Sequence, residues 1–206
     1  MKNNLFNSNF SNRVKLSFIE YTYYVPLIVP PILSRERLQL QIYLNYRRLN
    51  MHSVKLSSGH DMPTVGLGTW QAQPEEMEAV VATALECGYR HIDTAFNYKN
   101  EEAIGKSLKN WFDKGGKREE LFVTSKLPHY GNRPSDVEKF LKLSLERLGL
   151  DYLDMYLIHL PFAFVLDKNA YAPAALEDGS YILDLDTDPV SVWKEMEKQV
   201  AKGRVK

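Results

Sequence analysis

The chain is short of cysteine, of net charge and of long apolar runs, and each shortage excludes something. Cys87 is the only cysteine among 206 residues, so neither an internal disulfide nor a cysteine-based zinc cluster can form. A single thiol suits a reducing compartment, and a cytoplasmic location is the expectation. The formal charge is zero, and it is unevenly spread. Residues 1–50 hold seven Lys/Arg against two Glu, a balance of +5 that leaves −5 over residues 51–206. The acidic remainder offers no electrostatic footprint for nucleic acid. The longest apolar stretch, Val25-Pro-Leu-Ile-Val-Pro-Pro-Ile-Leu33, is broken by three prolines, whereas a membrane helix needs ~20 apolar residues. No membrane span is expected. Nor is there a G-x-G-x-x-G anywhere, so a Rossmann-type dinucleotide site is unsupported.

What is there is a globular composition, 44% hydrophobic and 25% charged. Residues 1–50, rich in Asn, Arg and Tyr and without periodicity, read as a poorly ordered extension. Mitochondrial targeting is the alternative for this basic leader. From Met51 the pattern changes. Val54-Lys-Leu56 and Asp61-Met-Pro63 around Ser-Ser-Gly predict a small β-hairpin. Short apolar strands then alternate with helical stripes four times. The strands are Val65–Thr69, His91–Ala95, Leu121–Ser125 and Met155–Ile158. The helices run from Pro74 to Cys87, from an Asn100 cap through Phe112, from a Ser135-x-x-Glu138 capping box to Leu148, and from Asp188-Pro189 to Gly203, with Trp193, Met196 and Val200 facing the core. A long loop, Phe162 to Thr187, precedes the last of these helices. Strands that are apolar rather than alternating, set between helices, indicate a parallel sheet covered by helices, either a doubly wound sheet or a (β/α)8 barrel.

The last three strands finish on Asp93, Lys126 and His159, with Tyr98 five residues beyond Asp93. In parallel α/β proteins that edge is where sites are built. Taken singly, Asp93 suits a cap, Lys126 a solvated lysine, His159 a core histidine and Tyr98 a packed ring. Taken together they make a chemical set. A phenol with a reference pKa near ~10 gives up its proton more readily beside an ammonium, and a carboxylate keeps a crowded lysine charged. A neutral imidazole donates to an oxygen that becomes negative in the transition state. Such a set suits addition to a carbonyl. The adding group is either hydride from a nicotinamide or Lys126 itself, as in a Schiff-base lyase.

The motifs Met62-Pro-Thr-Val-Gly-Leu-Gly-Thr-Trp70, Gly88-Tyr-Arg-His-Ile-Asp-Thr-Ala95 through Tyr98 and Asn100-Glu101, Leu121-Phe-Val-Thr-Ser-Lys126, and Leu150-Asp-Tyr-Leu-Asp-Met-Tyr-Leu-Ile-His-Leu-Pro161 together resemble the aldo-keto reductase family over residues 54–206. The resemblance implies a (β/α)8 TIM-barrel fold, present here as a partial barrel of about four βα units plus an N-terminal hairpin, with residues 51–206 as the partial reductase domain. It also implies NADPH as hydride donor, no metal, and aldehyde, ketone or sugar substrates. Its catalytic tetrad falls on Tyr98 as proton donor, Lys126, Asp93 and His159. Thr69, Trp70 and Asp93 match cofactor contacts, and Trp70 and His159 match substrate contacts. Pro128 and Leu160 stand where some members carry an aromatic. Asn100 and Glu101 are expected to serve only the helix they begin. An inactive half-barrel acting through association at an exposed sheet edge is the other expectation.

Overall fold

A computed structural model of the chain describes residues 52–206, together with the backbone of two short strands, β1 (Leu16–Ser17) and β2 (Thr22–Tyr23), which pair antiparallel. The rest of the expected N-terminal extension lies outside the described residues. The expected hairpin is present: β3 (Ser53–Lys55) pairs antiparallel with β4 (Asp61–Pro63), Val54 opposite Met62.

The body is a parallel sheet of four strands in chain order, β5 (Leu67–Gly68), β6 (His91–Asp93), β7 (Phe122–Leu127) and β8 (Met155–Ile158). Its helices are α1 (Pro74–Glu86), α2 (Glu101–Asp113), α3 (Pro134–Leu148) and α4 (Pro189–Ala201). Parallel strands joined in sequence by helices are the βα units of a (β/α)8 barrel, here a part of one. The register sets Gly68 beside Asp93, Asp93 beside Thr124, and Lys126 beside Leu157, so the polar strand ends share one edge. A first bridge of a further parallel neighbour forms where Val205 meets Leu153.

The core lies between sheet and helices. Val81 of α1, Ile104 and Leu108 of α2, and Phe140, Leu141 and Leu148 of α3 close over Ile92 and Val123, all at or near zero exposure. At the opposite edge from the site, Asp154 accepts from Arg118 Nη2 at 2.7 Å and from Val123 N at 2.9 Å, pinning the start of β8 to β7. His91 joins the N-terminal hairpin to the barrel: its Nδ1 lies 3.0 Å from the Pro63 carbonyl, so that nitrogen carries the proton.

Several local expectations need correction. The third strand runs two residues further than Ser125, because Lys126 and Leu127 pair with Leu157 and Ile158. The Ser135/Glu138 capping box does not form. Arg133 is the N-cap of α3, without a side-chain cap bond, and Pro134 occupies the first turn where a donor is dispensable. Glu138 instead bonds Lys142 at 2.7 Å and binds Lys202, tying α3 to α4. Those bonds hold its carboxyl down to about 2. On α4 the buried face is Val192, Met196 and Gln199, while Trp193 and Val200 are exposed. Both stripes have helical spacing and share Met196. The interior one wins because Gln199 satisfies its amide internally, donating to Glu195 Oε1 at 3.0 Å and accepting from Arg204 Nη1 at 3.0 Å. The loop after β8 folds into a hairpin of β9 (Leu166–Asp167) and β10 (Ala172–Pro173), extended by bridges Phe164–Leu183 and Ala175–Tyr181. Among the described residues no helix is long and apolar enough to cross a membrane.

Candidate active site

Asp93 is the last residue of β6 and Lys126 the penultimate residue of β7, one strand over and two residues beyond Thr124, the ladder partner of Asp93. Alternation on β7 turns Ser125 toward the helices and Lys126 to the other face. The Lys126 ammonium reaches Asp93 Oδ1 at 2.5 Å, the Thr94 carbonyl at 2.9 Å and the Tyr98 hydroxyl at 3.3 Å. Three acceptors around one ammonium, in a pair only 11% and 20% exposed, fix its position far more tightly than a surface lysine's.

Tyr98 closes a 3-10 turn, Phe96–Tyr98, that follows β6. Its neighbour Lys99 takes the left-handed conformation, φ 57°, which reverses the chain into α2 and leaves the tyrosine ring over the strand ends. His159 follows β8 directly, its backbone N–H bonded to the Leu127 carbonyl at 3.2 Å. The His159 and Tyr98 rings meet edge to face with centroids 5.5 Å apart. Burial, with the positive charge of Lys126 behind it, lowers the His159 pKa to about 4, so the ring is neutral near neutral pH. Its Nδ1 is buried without a partner. A buried N–H without an acceptor is costly, which puts the proton of the neutral ring on Nε2.

The structure therefore brings together all four residues that the strand ends singled out. Thr69 is fully buried behind them, its N–H and its hydroxyl both donating to the Asp93 carbonyl at 3.1 Å. Trp70 stands in the loop after β5, 55% exposed, on the same edge. Pro128 and Leu160 follow the ends of β7 and the His159 position.

Three further residues escaped the sequence reading. Asn97 and His129, from the loops after β6 and β7, are joined Nδ2 to Nδ1 at 2.9 Å. His129 contacts Tyr130, Phe162 and Phe164, and any positive charge on it depresses the His159 pKa further. The long loop thus restores aromatic surface near positions where Pro128 and Leu160 supply none. Asn132 donates to the carbonyls of Leu160 and Phe162 at 3.1 and 2.9 Å, anchoring the segment after His159. The only signal for any of them is a location just past a strand end.

The start of α2 departs from expectation most. Asn100 is its N-cap residue but makes no side-chain cap bond. Its amide donates to the Thr69 carbonyl at 2.8 Å and its oxygen accepts from Thr94 Oγ1 at 3.4 Å. Glu101 turns inward, its side chain without exposure, and accepts from Ser125 Oγ at 2.7 Å and Ser144 Oγ at 3.1 Å, with Arg147 Nη1 3.8 Å away.

Known proteins resemble this chain over the sheet and its helices. The profile of the Aldo/keto reductase family matches residues 64–206. The chain is 46% identical over 156 residues to aldo-keto reductase family 1 member A1 of Mus musculus, covering 75% of this chain and 47% of that protein. It is 42% identical over 157 residues to the D/L-glyceraldehyde reductase of Hypocrea jecorina, covering 75% and 46%. The solved aldose reductase of Schistosoma japonicum superposes with a TM-score of 0.71 at 41% identity, over 75% of this chain and 51% of that one. The chain thus spans about half the length of the relatives it matches.

Proposed function

The chain belongs to the aldo/keto reductase family, and from that membership and the strand-end tetrad we propose that it serves the NADPH-dependent reduction of aldehydes, ketones or open-chain sugars to alcohols. The observation that carries the proposal is the Lys126 ammonium held between Asp93 and the Tyr98 hydroxyl, with the neutral His159 ring against the tyrosine.

The residues present suit the nicotinamide end of such a cofactor. His159 keeps a ring nitrogen free for an incoming oxygen, Asp93 forms the floor with buried Thr69 behind it, and exposed Trp70 offers a planar wall beside them. When bound, the cofactor supplies the hydride. The chain's own part is the proton and the orientation. His159 Nε2–H donates to the carbonyl oxygen, fixing it beside the Tyr98 hydroxyl and stabilising the negative charge that develops there. Tyr98 gives its proton to that oxygen, converting the carbonyl to an alcohol. The Lys126 ammonium stabilises the phenolate left behind, and Asp93 keeps that ammonium in place. The same arrangement speaks against the Schiff-base reading, which needs Lys126 as a free amine, whereas its nitrogen is committed to a carboxylate, a carbonyl and a hydroxyl.

The test is loss of NADPH absorbance with glyceraldehyde and with an aromatic aldehyde, comparing the whole chain with Tyr98→Phe. Turnover by the wild type that falls by on the order of 10²- to 10⁴-fold in the variant supports the proposal. Turnover equal in both sinks it. Borohydride trapping of a carbonyl adduct on Lys126 would favour the lyase instead.

A further inference from the structure

The helix that follows Tyr98 opens with two residues whose side chains leave it. Asn100 reaches the end of β5 and Thr94, the neighbour of Asp93; Glu101 reaches Ser125, the neighbour of Lys126. Two consecutive residues thus bind the residue after one site group and the residue before another, from the helix side of the sheet.

Glu101 is the costlier of the two. A carboxylate without solvent exposure needs donors to offset its lost hydration. It has the Ser125 and Ser144 hydroxyls and, at 3.8 Å, the Arg147 guanidinium, itself seated over the Phe96 ring at 4.1 Å. Burial raises the Glu101 pKa, while the two hydroxyl bonds and the attraction of Arg147 and Lys126 oppose the rise. Helix packing alone does not call for this: an apolar residue facing Ile104 and Leu108 would cover the same sheet. A second buried polar group lies close by, the Tyr156 hydroxyl, whose neighbour across the ladder is Ser125. The carboxylate joins α2 and α3 to β7 at Ser125, the strand residue that precedes the lysine.

Resting on the reductase reading, we propose that Glu101 is a positioning residue: through Ser125 it sets the pitch of β7 that delivers the Lys126 ammonium to Asp93, Thr94 and Tyr98. Its own side chain touches no reacting atom. Removing its bond lets the end of β7 relax, and a shift of a fraction of an ångström at Lys126 loosens all three ammonium bonds together.

The experiment uses the whole chain with ¹⁵N-labelled lysine. A lysine ammonium held by acceptors exchanges slowly enough with water for its proton–nitrogen signal to be seen, and Lys126→Arg assigns that signal by its loss. In Glu101→Gln and in Ser125→Ala the Lys126 ammonium signal is expected to vanish while the amide spectrum stays folded. The same variants are expected to lose kcat by on the order of 10- to 100-fold with the KM for NADPH unchanged, and Glu101→Asp to recover part of both. A purely structural glutamate would lower the melting temperature and leave the ammonium signal intact. That pattern, or wild-type kcat in Glu101→Gln, overturns the inference. Should Glu101→Gln not fold, Ser125→Ala, which removes one hydroxyl, decides by the same signal. Absence of turnover in the wild type would refute the reductase reading, while the ammonium signal would still decide the role of Glu101.

Discussion

Gly105→Ala sets two effects of opposite sign against each other at the crossing of α2 and α3. In the interior of an exposed helix, alanine in place of glycine stabilises by about 1 kcal/mol, through lower chain entropy in the unfolded state and better helix propensity. At Gly105 the added Cβ would stand 2.2 Å from the Arg147 carbonyl oxygen and 3.0 Å from the carbonyl carbon and Cα of Leu148. Those are backbone atoms, so no rotamer change relieves the clash. Comfortable carbon contacts begin near ~3.5 Å, and α3 must back away by about 1 Å at this point. Around the crossing Ile104, Leu108 and Leu148 are fully buried, so the movement opens a well-filled core. Overpacking costs about 1–3 kcal/mol, and a backbone clash belongs at the upper end. The net expectation is destabilisation by about 2 kcal/mol. For a chain of this size each kcal/mol moves the melting temperature by about 2–4 °C, so the variant should melt about 4–8 °C lower by circular dichroism. Lys106→Ala, on the solvent side of the same helix, should melt within about 2 °C of wild type. A Gly105→Ala protein as stable as wild type, or more so, would refute the close approach of the two helices and with it the setting of Glu101.

Other expectations follow from the same structure. Asn100→Asp keeps a good N-cap residue but cannot donate to the Thr69 carbonyl, so it should destabilise by about 1–3 kcal/mol in urea titration; stability equal to wild type would mean Asn100 acts only as a cap. Met196→Ala should cost about 2–4 kcal/mol, whereas Trp193→Gln, on the exposed face of α4, should stay within about 0.5 kcal/mol; the reverse order would restore the other helix face. His159 has a folded pKa of about 4 against ~6.5 unfolded, so the unfolded chain binds the proton more readily in between. Its contribution to stability is present above pH ~6.5 and is lost as the pH falls toward 4. His91, also lowered by burial, acts with the same sign. The urea midpoint of wild type should therefore fall more between those pH values than that of His159→Gln, and parallel curves would contradict the depressed value.

The fold was legible where a local pattern has one meaning. Apolar strands alternating with striped helices can bury their surface in only a few ways, and the strand ends named Asp93, Lys126 and His159 because parallel strands in sequence must present those ends on one edge. Gly88, Gly149 and Gly203, which follow three of the helices, adopt positive φ as such helix ends require. What local pattern could not rank was competition between equally good local partners. Ser135 and Glu138 have capping-box spacing, yet Glu138 gains more from Lys142, Lys202 and Arg204, two of which lie over sixty residues away. Trp193 and Val200 are more apolar than Gln199, yet the buried place goes to the amide whose bonds close internally.

Asn100 and Glu101 mark the boundary most sharply. Their residue types and order suffice to begin a helix, and sequence by itself determines that they do. That one reaches across to the Thr69 carbonyl and the other sinks between β7 and α3 is decided by elements 24 to 43 residues distant. The energy of a buried hydrogen bond depends on what the fold places opposite, and no window of neighbouring residues contains that partner. The same holds for Tyr98, whose hydroxyl meets an ammonium 28 residues further along the chain. Sequence determined which groups are available at the strand ends; the tertiary structure decided which of them touch, because only closure of the parallel sheet converts separation along the chain into ångströms.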